Sequence, residues 1–511
     1  VKASDFQPNN NLPITITVDL DVDANYDEDI SVDDPDDPIE VSAGGIVCVG
    51  KRDEIILRKV VPASWVGDLV LTWSSPKVRV FNALSQEIFC TGVYTNNRFP
   101  NSTIPTSPEN GLSLYVEGET ASDTPRDVLL TLSPDPPVGV PDVITYTILK
   151  VDLTAIKFNH KGTVTAGAPG PDNETSDGLI IRKNYSTELG HKDHTYTGEW
   201  RPSLSRNEPF LYVADKTVTI KARFTITPSI DTTLTIGADS VGGTFPNVTP
   251  KTVSFVSGVS VGDANGFVEF DVAGQSHQFD GDSNKDVAKS VDSWKWKITG
   301  GIVICDIGVS GPHTNYCVLH VPKTPWYRSA ETHPWISALD LACDWAGGAP
   351  DTKVAASYLT QNLYNSALVG YFALSQWLDG SGNFKLTDLI AQWTIPSIVA
   401  MDCHDCADTV YIFGNLVGCQ NSGVNLERPS GNITLKKHMK IGQPTWTVAG
   451  ELVGEHSVCK GTDGVFDATY KFDDGSLFGK FALGESLSVY LLLLTTDTDV
   501  GESGSRQVPI K

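Results

Sequence analysis

Between residues 41 and 154 apolar and polar positions alternate in short runs: DEIILRKVV, GDLVLTW, KVRVFNA, LSLYVEG, DVLLTLS and VITYTILKVDL, parted by Gly, Pro, Asn and Ser clusters. Alternation of this kind marks half-buried strands, because successive side chains of an extended chain face opposite ways. Strands at this spacing, with no helical window between them, predict an antiparallel β-sandwich. Residues 155–325 continue in the same manner through KTVTIKARFTIT, TTLTIGADS, KTVSFVSG, GFVEFDVAG, SWKWKITG and YCVLHVP, and predict a second sandwich. No fixed-period repeat runs through either stretch, which excludes solenoid and propeller folds.

The pattern changes after residue 325. Ile336 to Trp345 has apolar residues at helical spacing and stops at Gly347–Gly348. PDTKVAASYLTQNLY follows, with Asp351 as an N-cap and Val354, Tyr358 and Leu359 on one face. FKLTDLIAQW predicts a third helix, IPSIVAMD an extended lead-in, and MDCHDCADTVYIFGNLVGC a fourth helix. Strands return in NITLKKHMKIG, TWTVAGELVGEHSVCKG and GVFDATYKFDD. The longest apolar run, Val489 to Leu494, reads as a buried strand. It is far shorter than the ~18 residues a membrane helix needs, so no membrane span is expected. Helices followed by an antiparallel sheet make an α+β domain. The expected architecture is multidomain: an acidic segment at 1–40, two mainly-β sandwich units at 41–154 and 155–325, and an α+β domain at 326–511.

Charge changes this picture only at the N-terminus. The 511 residues carry a net charge of −24, and the first 40 hold 12 acids against one lysine. No basic stripe is present, so nucleic acid is excluded as an expected partner. Within DLDVDANYDEDISVDDPDDP, Asp19 to Pro38, the first three ligands of a calcium loop fit from Asp19. Ala24 stands where that loop needs glycine, however, and Ile30 where it needs the closing glutamate. A solvated acidic linker, with weak Ca2+ binding at most and no required cofactor, is the expectation. Abundant Thr, Val, Gly and Asp with two Met suggest a secreted protein of the cell surface or extracellular space. Any signal peptide would lie upstream of Val1.

Chemistry concentrates in MDCHDCAD. The nine cysteines include two pairs suited to bridging, Cys305 with Cys317 across a hairpin and Cys419 with Cys459. Cys403-x2-Cys406 and His456-x2-Cys459 together have zinc-like spacing, but no glycine turn follows the first pair and the gap between pairs is about three times the usual one. A dithiol redox pair at a helix start lacks the βαβ context and leaves His456 and Asp467 without a role. The third reading makes Cys403 a nucleophile, its thiolate stabilised by the free amides and positive end of a helix. Such a nucleophile needs a base, and the base an orienting group. If KGTD, Lys460 to Asp463, is a four-residue loop, His456 directly opposes Asp467 on one sheet face. Cys406 shares a stripe with Val410, Phe413 and Val417 and reads as core, as does Cys343; His404 reads as a solvated first-turn residue.

DCHDCADTVYIFGNLVGC also resembles the nucleophile helix of transglutaminase-like, papain-related domains: a Cys, an Ala four residues on, an apolar helix, then Leu-x-Gly. EHSVCKGTDGVFDATYKFD is similar to that family's His segment and its following F/Y-D-x-T strand. Asp402 and His404 flank the cysteine where that family usually has glycine and tryptophan. The resemblance spans residues 326–475 and extends, through PWISALDLACDWAGGA, to such domains in exported bacterial proteins. It implies Cys403 as nucleophile, His456 as base and Asp467 as orienting carboxylate. The implied reaction is acyl transfer through a thioester on a protein or peptide amide such as glutamine, ending in hydrolysis or crosslinking. The Cys403 amide, with Gln392 or Trp393, would meet the oxyanion. The rival expectation is a structural component of a surface layer, appendage or phage-like assembly. It would self-assemble through its β-sandwich units, with the last domain inactive and used for binding.

Overall fold

The structure, a computed structural model, describes residues 15–21 and 45–510 apart from 61–67, 83–86, 90–96, 101–111, 136–141, 162–180, 183–194, 204–208, 273–285, 301–304, 323–333 and a few shorter stretches. Among the described residues the chain is mostly β, in several sheets, with five helices. Residues 22–44, which hold most of the calcium-like aspartates, lie outside them; Asp19 and Asp21 belong to the strand Thr15–Asp21.

A fourteen-stranded sheet dominates the first 320 residues, and its spine is the strand Asp142–Lys161. This strand pairs with Val128–Asp135 along its first half and with Thr217–Thr227 along its second, running straight through residue 154. It buries Tyr146, Ile148 and Leu149 early and Ala155, Ile156 and Phe158 late, so both halves have apolar cover. A disulfide joins Cys48 to Cys305. The expected Cys305–Cys317 bridge is therefore absent. Both residues lie on the one strand Cys305–Val318, where twelve extended residues set them about 40 Å apart. Cys317 is buried, and Cys419 and Cys459 are buried thiols outside any disulfide, so the second expected bridge is absent too.

The helices are α1 (Ile336–Ala346), α2 (Thr352–Asn365), α3 (Leu386–Trp393), α4 (Cys403–Leu416) and α5 (Leu487–Leu494). Asp351 caps α2 by accepting from the Val354 amide, as its sequence suggests. Every residue of α4 except His404 is buried, including the polar Asp405, Asp408, Thr409 and Asn415. On one side it meets α1 and α2, and on the other a six-stranded sheet. That sheet runs Gly501–Arg506, Ser422–Glu427, Glu455–Gly461, Gly464–Phe472, His438–Lys440, with Lys480–Glu485 also on Gly464–Phe472. The core around α4 is continuous with the large sheet: Leu211, Val213, Tyr316 and Val318 pack in one cluster with Leu339, Leu359 and Phe413. Tyr316 donates to Asp340 of α1 at 2.6 Å.

One apolar run takes a different form from the expected one. Val489 to Leu494 is helical, not a buried strand, and lies in α5. Ser486 caps it by accepting from the Val489 amide. Only Tyr490 and Leu494 are buried, while Leu492 is 70% exposed. A lone apolar run of six residues has no period to separate strand from helix.

Candidate active site

The first turn of α4 is fixed by two aspartates. Asp402, the N-cap, accepts from the Asp405 amide at 2.9 Å, and Asp405 accepts in return from the Asp402 amide at 3.3 Å. This is a reciprocal capping box, with both ends of the first turn satisfied. Asp405 also accepts from Ser375 Oγ at 2.7 Å and from the amides of Gln376 and Trp377 at 3.0 and 3.3 Å, tying that loop to the helix start. Burial, then the charge of Asp402, pushes the Asp405 carboxyl up, against these hydrogen bonds. Asp402 is thus engaged in the cap, and Cys403 sits at the first helical position, 8% exposed, at the positive end of α4.

The other two residues come from one hairpin, in a register that differs from the expected one. Gly461 pairs with Gly464 and Cys459 with Phe466, so the turn is the dipeptide Thr462–Asp463, not a four-residue loop. His456 therefore does not stand directly opposite Asp467. The offset is two residues, which preserves side-chain parity, whereas an offset of one would have turned one of them to the other face. The side chains still meet: His456 Nε2–H donates to Asp467 Oδ2 at 3.1 Å, with both residues buried. Asp467 Oδ1 accepts from the Thr469 and Tyr470 amides at 2.7 and 3.4 Å, and Oδ2 also accepts from the Tyr490 hydroxyl at 2.8 Å. The Tyr470 ring stacks on the imidazole at 4.6 Å. His456 Nδ1 is buried without a hydrogen-bond partner, and Cys403 is among the groups that act electrostatically on this imidazole. Burial depresses the imidazole, but the Asp467 charge and hydrogen bond, with Cys403 adding to them, outweigh it and raise His456 to about 10.

His404 is no solvated bystander. Its Nε2–H donates to Glu455 Oε1 at 2.9 Å, and its Nδ1 meets Arg506 Nη1 at 2.7 Å and Ser457 Oγ at 2.9 Å. Arg506 also reaches Asp408 at 2.9 Å. Burial lifts Asp408 to about 7 against the pull of that arginine. Sequence reading missed this network because Arg506 arrives from the last strand, 102 positions after His404.

The side chains expected to help with an oxyanion are elsewhere. Gln392 bonds Ser397, and the Trp393 ring stands 5.1 Å from Trp345 and 6.5 Å from Phe413. Phe413 is about 15 Å along the α4 axis from Cys403. Tyr371 lies within the electrostatic influence of Cys403: burial, then the Cys403 charge, pushes its hydroxyl up to about 12, against a hydrogen bond with Tyr470. Tyr371 ends the short strand Val369–Tyr371, paired with Val399–Met401 just before α4, a long-range placement that gave no sequence signal.

The remaining thiols around α4 are packing groups. Cys343, Cys406 and Cys459 are buried, and burial pushes all three well above the usual thiol value. Burial likewise lifts Cys419 to about 12. Among the described residues no three His, Cys, Asp or Glu side chains gather as a metal site. A cavity of about 580 Å³ opens between α1, α2 and α3, lined by Trp345, Trp393, Asp340 and Asn362 among others. It contains none of Cys403, His456 and Asp467. No helix among the described residues is long and apolar enough to cross a membrane. No protein-family model matches the chain, and no curated protein matches it.

Proposed function

We propose that Cys403, His456 and Asp467 form a cysteine-nucleophile centre for acyl transfer, carried by a transglutaminase-like α+β domain behind the β-sandwich units of an exported protein. The observation that carries this reading is the buried His456–Asp467 pair, which leaves one imidazole nitrogen unpartnered and raises the imidazole together with Cys403 at the head of α4. A buried ion pair is a poor way to stabilise a core, since well-packed apolar residues do as well or better. Chemistry is the better reason for one aimed at a cysteine.

The proposed steps run as acyl transfer through a thioester. The Cys403 thiolate forms a bond to the carbonyl carbon of an amide, and the oxyanion is met by the Cys403 amide and the Tyr371 hydroxyl. As the C–N bond breaks, His456 passes its proton to the departing amine and a thioester remains. Water or a primary amine then attacks the thioester and yields its proton to His456, and the thiolate leaves. Asp467 holds the imidazole tautomer throughout. Export is supported by the Cys48–Cys305 disulfide, a bond that persists in oxidising compartments.

Alkylation of the full chain by iodoacetamide near pH 7, mapped by mass spectrometry, tests the centre. Cys403 is expected to react first, and to slow at least about tenfold in His456→Ala. Equal, sluggish labelling of every cysteine would sink the proposal. That outcome would favour the second reading, an inactive domain used for binding within a surface assembly. The near-complete burial of Cys403 is the observation on its side.

A further inference from the structure

We infer that Tyr490 is a positioning residue of this centre, fixing the Asp467 carboxylate that takes the His456 Nε2–H and leaves Nδ1 as the free ring nitrogen; the inference rests on the nucleophile reading above. Asp467 Oδ2 takes two donors, the His456 Nε2–H at 3.1 Å and the Tyr490 hydroxyl at 2.8 Å, while Oδ1 is held by the Thr469 and Tyr470 amides. The amides pin one end of the carboxylate. Tyr490 alone, apart from the histidine itself, defines where the other oxygen points.

The element that delivers Tyr490 also contributes Leu494 to the small-sheet core, with Leu487, Leu491 and Leu493 packed at its edge. Of the eight residues of α5 only Tyr490 and Leu494 are buried, whereas Val489 is 44% and Leu492 70% exposed. Tyr490 is fully buried and meets the Phe472 ring edge-on at 5.8 Å, so its ring is clamped independently of its hydroxyl. Burial, then the Asp467 charge, keeps that hydroxyl protonated well above its ordinary value, so it remains a donor wherever the centre works. Removing the O–H while keeping the ring leaves a lone pair of Oδ2 unsatisfied in a dry interior. The carboxylate then turns or admits water, and the imidazole loses the partner that sets its ring orientation.

Tyr490→Phe, Asp467→Ala and the double variant of the full chain separate positioning from packing. The readouts are the iodoacetamide rate at Cys403 and the melting temperature. Y490F is expected to slow alkylation about tenfold or more with little change in melting, because small misplacements of a reacting group cost large rate factors. In the D467A background the same substitution is expected to change nothing, since Tyr490 acts only through Asp467. A wild-type rate in Y490F overturns the inference, and so does equal slowing in both backgrounds. If Cys403 is not singled out in the wild type and D467A leaves its rate unchanged, the nucleophile reading falls, and Tyr490's role falls with it.

Discussion

His313, on the strand Cys305–Val318, is fully buried among the rings of Phe158, Trp200 and Trp294, 5.1–5.6 Å away. Neither ring nitrogen has a hydrogen-bond partner. Asp292, its register partner on the next strand, is engaged by Ser290 and Asn315. Burial depresses this imidazole from 6.5 to about 3, so the fold holds it neutral. A depressed value means that its contribution to stability is complete above pH 6.5 and is lost as pH falls toward 3. At pH 4.5 the loss is on the order of 2–3 kcal/mol. Melting curves at pH 7.5 and 4.5 should show His313→Phe losing less on acidification than the wild type; equal losses would refute the account. The same burial logic could not be read from the sequence, where His313 is one polar residue in an alternating strand. The residues of the centre were more legible. Cys403 stood out by its place before an apolar helix, and His456 and Asp467 by their order on two adjacent strands. Tyr490 was hidden inside an apolar run with no period to read.

At the scale of elements, the hairpin of Glu455–Gly461 and Gly464–Phe472 carries both His456 and Asp467, so its turn sets their alignment. Gly464 has φ +114°, and a Cβ there would lie 2.5 Å from the Glu485 carbonyl oxygen. Gly475 also has positive φ, at +84°, but nothing stands within 4 Å of its missing Cβ. Gly464→Ala is therefore expected to cost about 1–3 kcal/mol for strain, and more for the clash, and to slow Cys403 alkylation with it. Gly475→Ala should cost less and leave alkylation alone. Urea denaturation of the two variants decides it, and equal midpoints would remove the argument. Helices α1 to α4 were legible by apolar spacing, and α2 by its Asp351 cap as well, whereas α1 has no side-chain cap and the Asp402 cap of α4 went unread. The turn was not, because Lys-Gly-Thr-Asp-Gly suits either a two- or a four-residue connection until neighbouring strands fix the register.

Across the whole molecule, strand content was legible and sheet continuity was not. Alternation shows which face of a strand is apolar, but not that Asp142–Lys161 would serve two groups of neighbours in turn. Nor does it show that Cys48 would find a partner 257 positions away. The core uniting Tyr316 and Val318 with α1, α2 and α4 is equally long-range. It makes α4 part of a helical layer seated on the large sheet, while His456, Asp467 and Tyr470 belong to the smaller sheet on its other side. Cys403 lies where these two layers meet, 8% exposed, with His456 fully covered. On the proposed acyl-transfer reading, a substrate amide would reach this sulfur by a parting of the layers. The slow event in each turnover would then be opening, on the microsecond-to-millisecond scale of such motions, and not bond breaking. Turnover should accordingly track solvent viscosity, falling as glycerol or sucrose is added, and be nearly indifferent to the basicity of the departing amine; the opposite dependence would place the bottleneck in the chemistry.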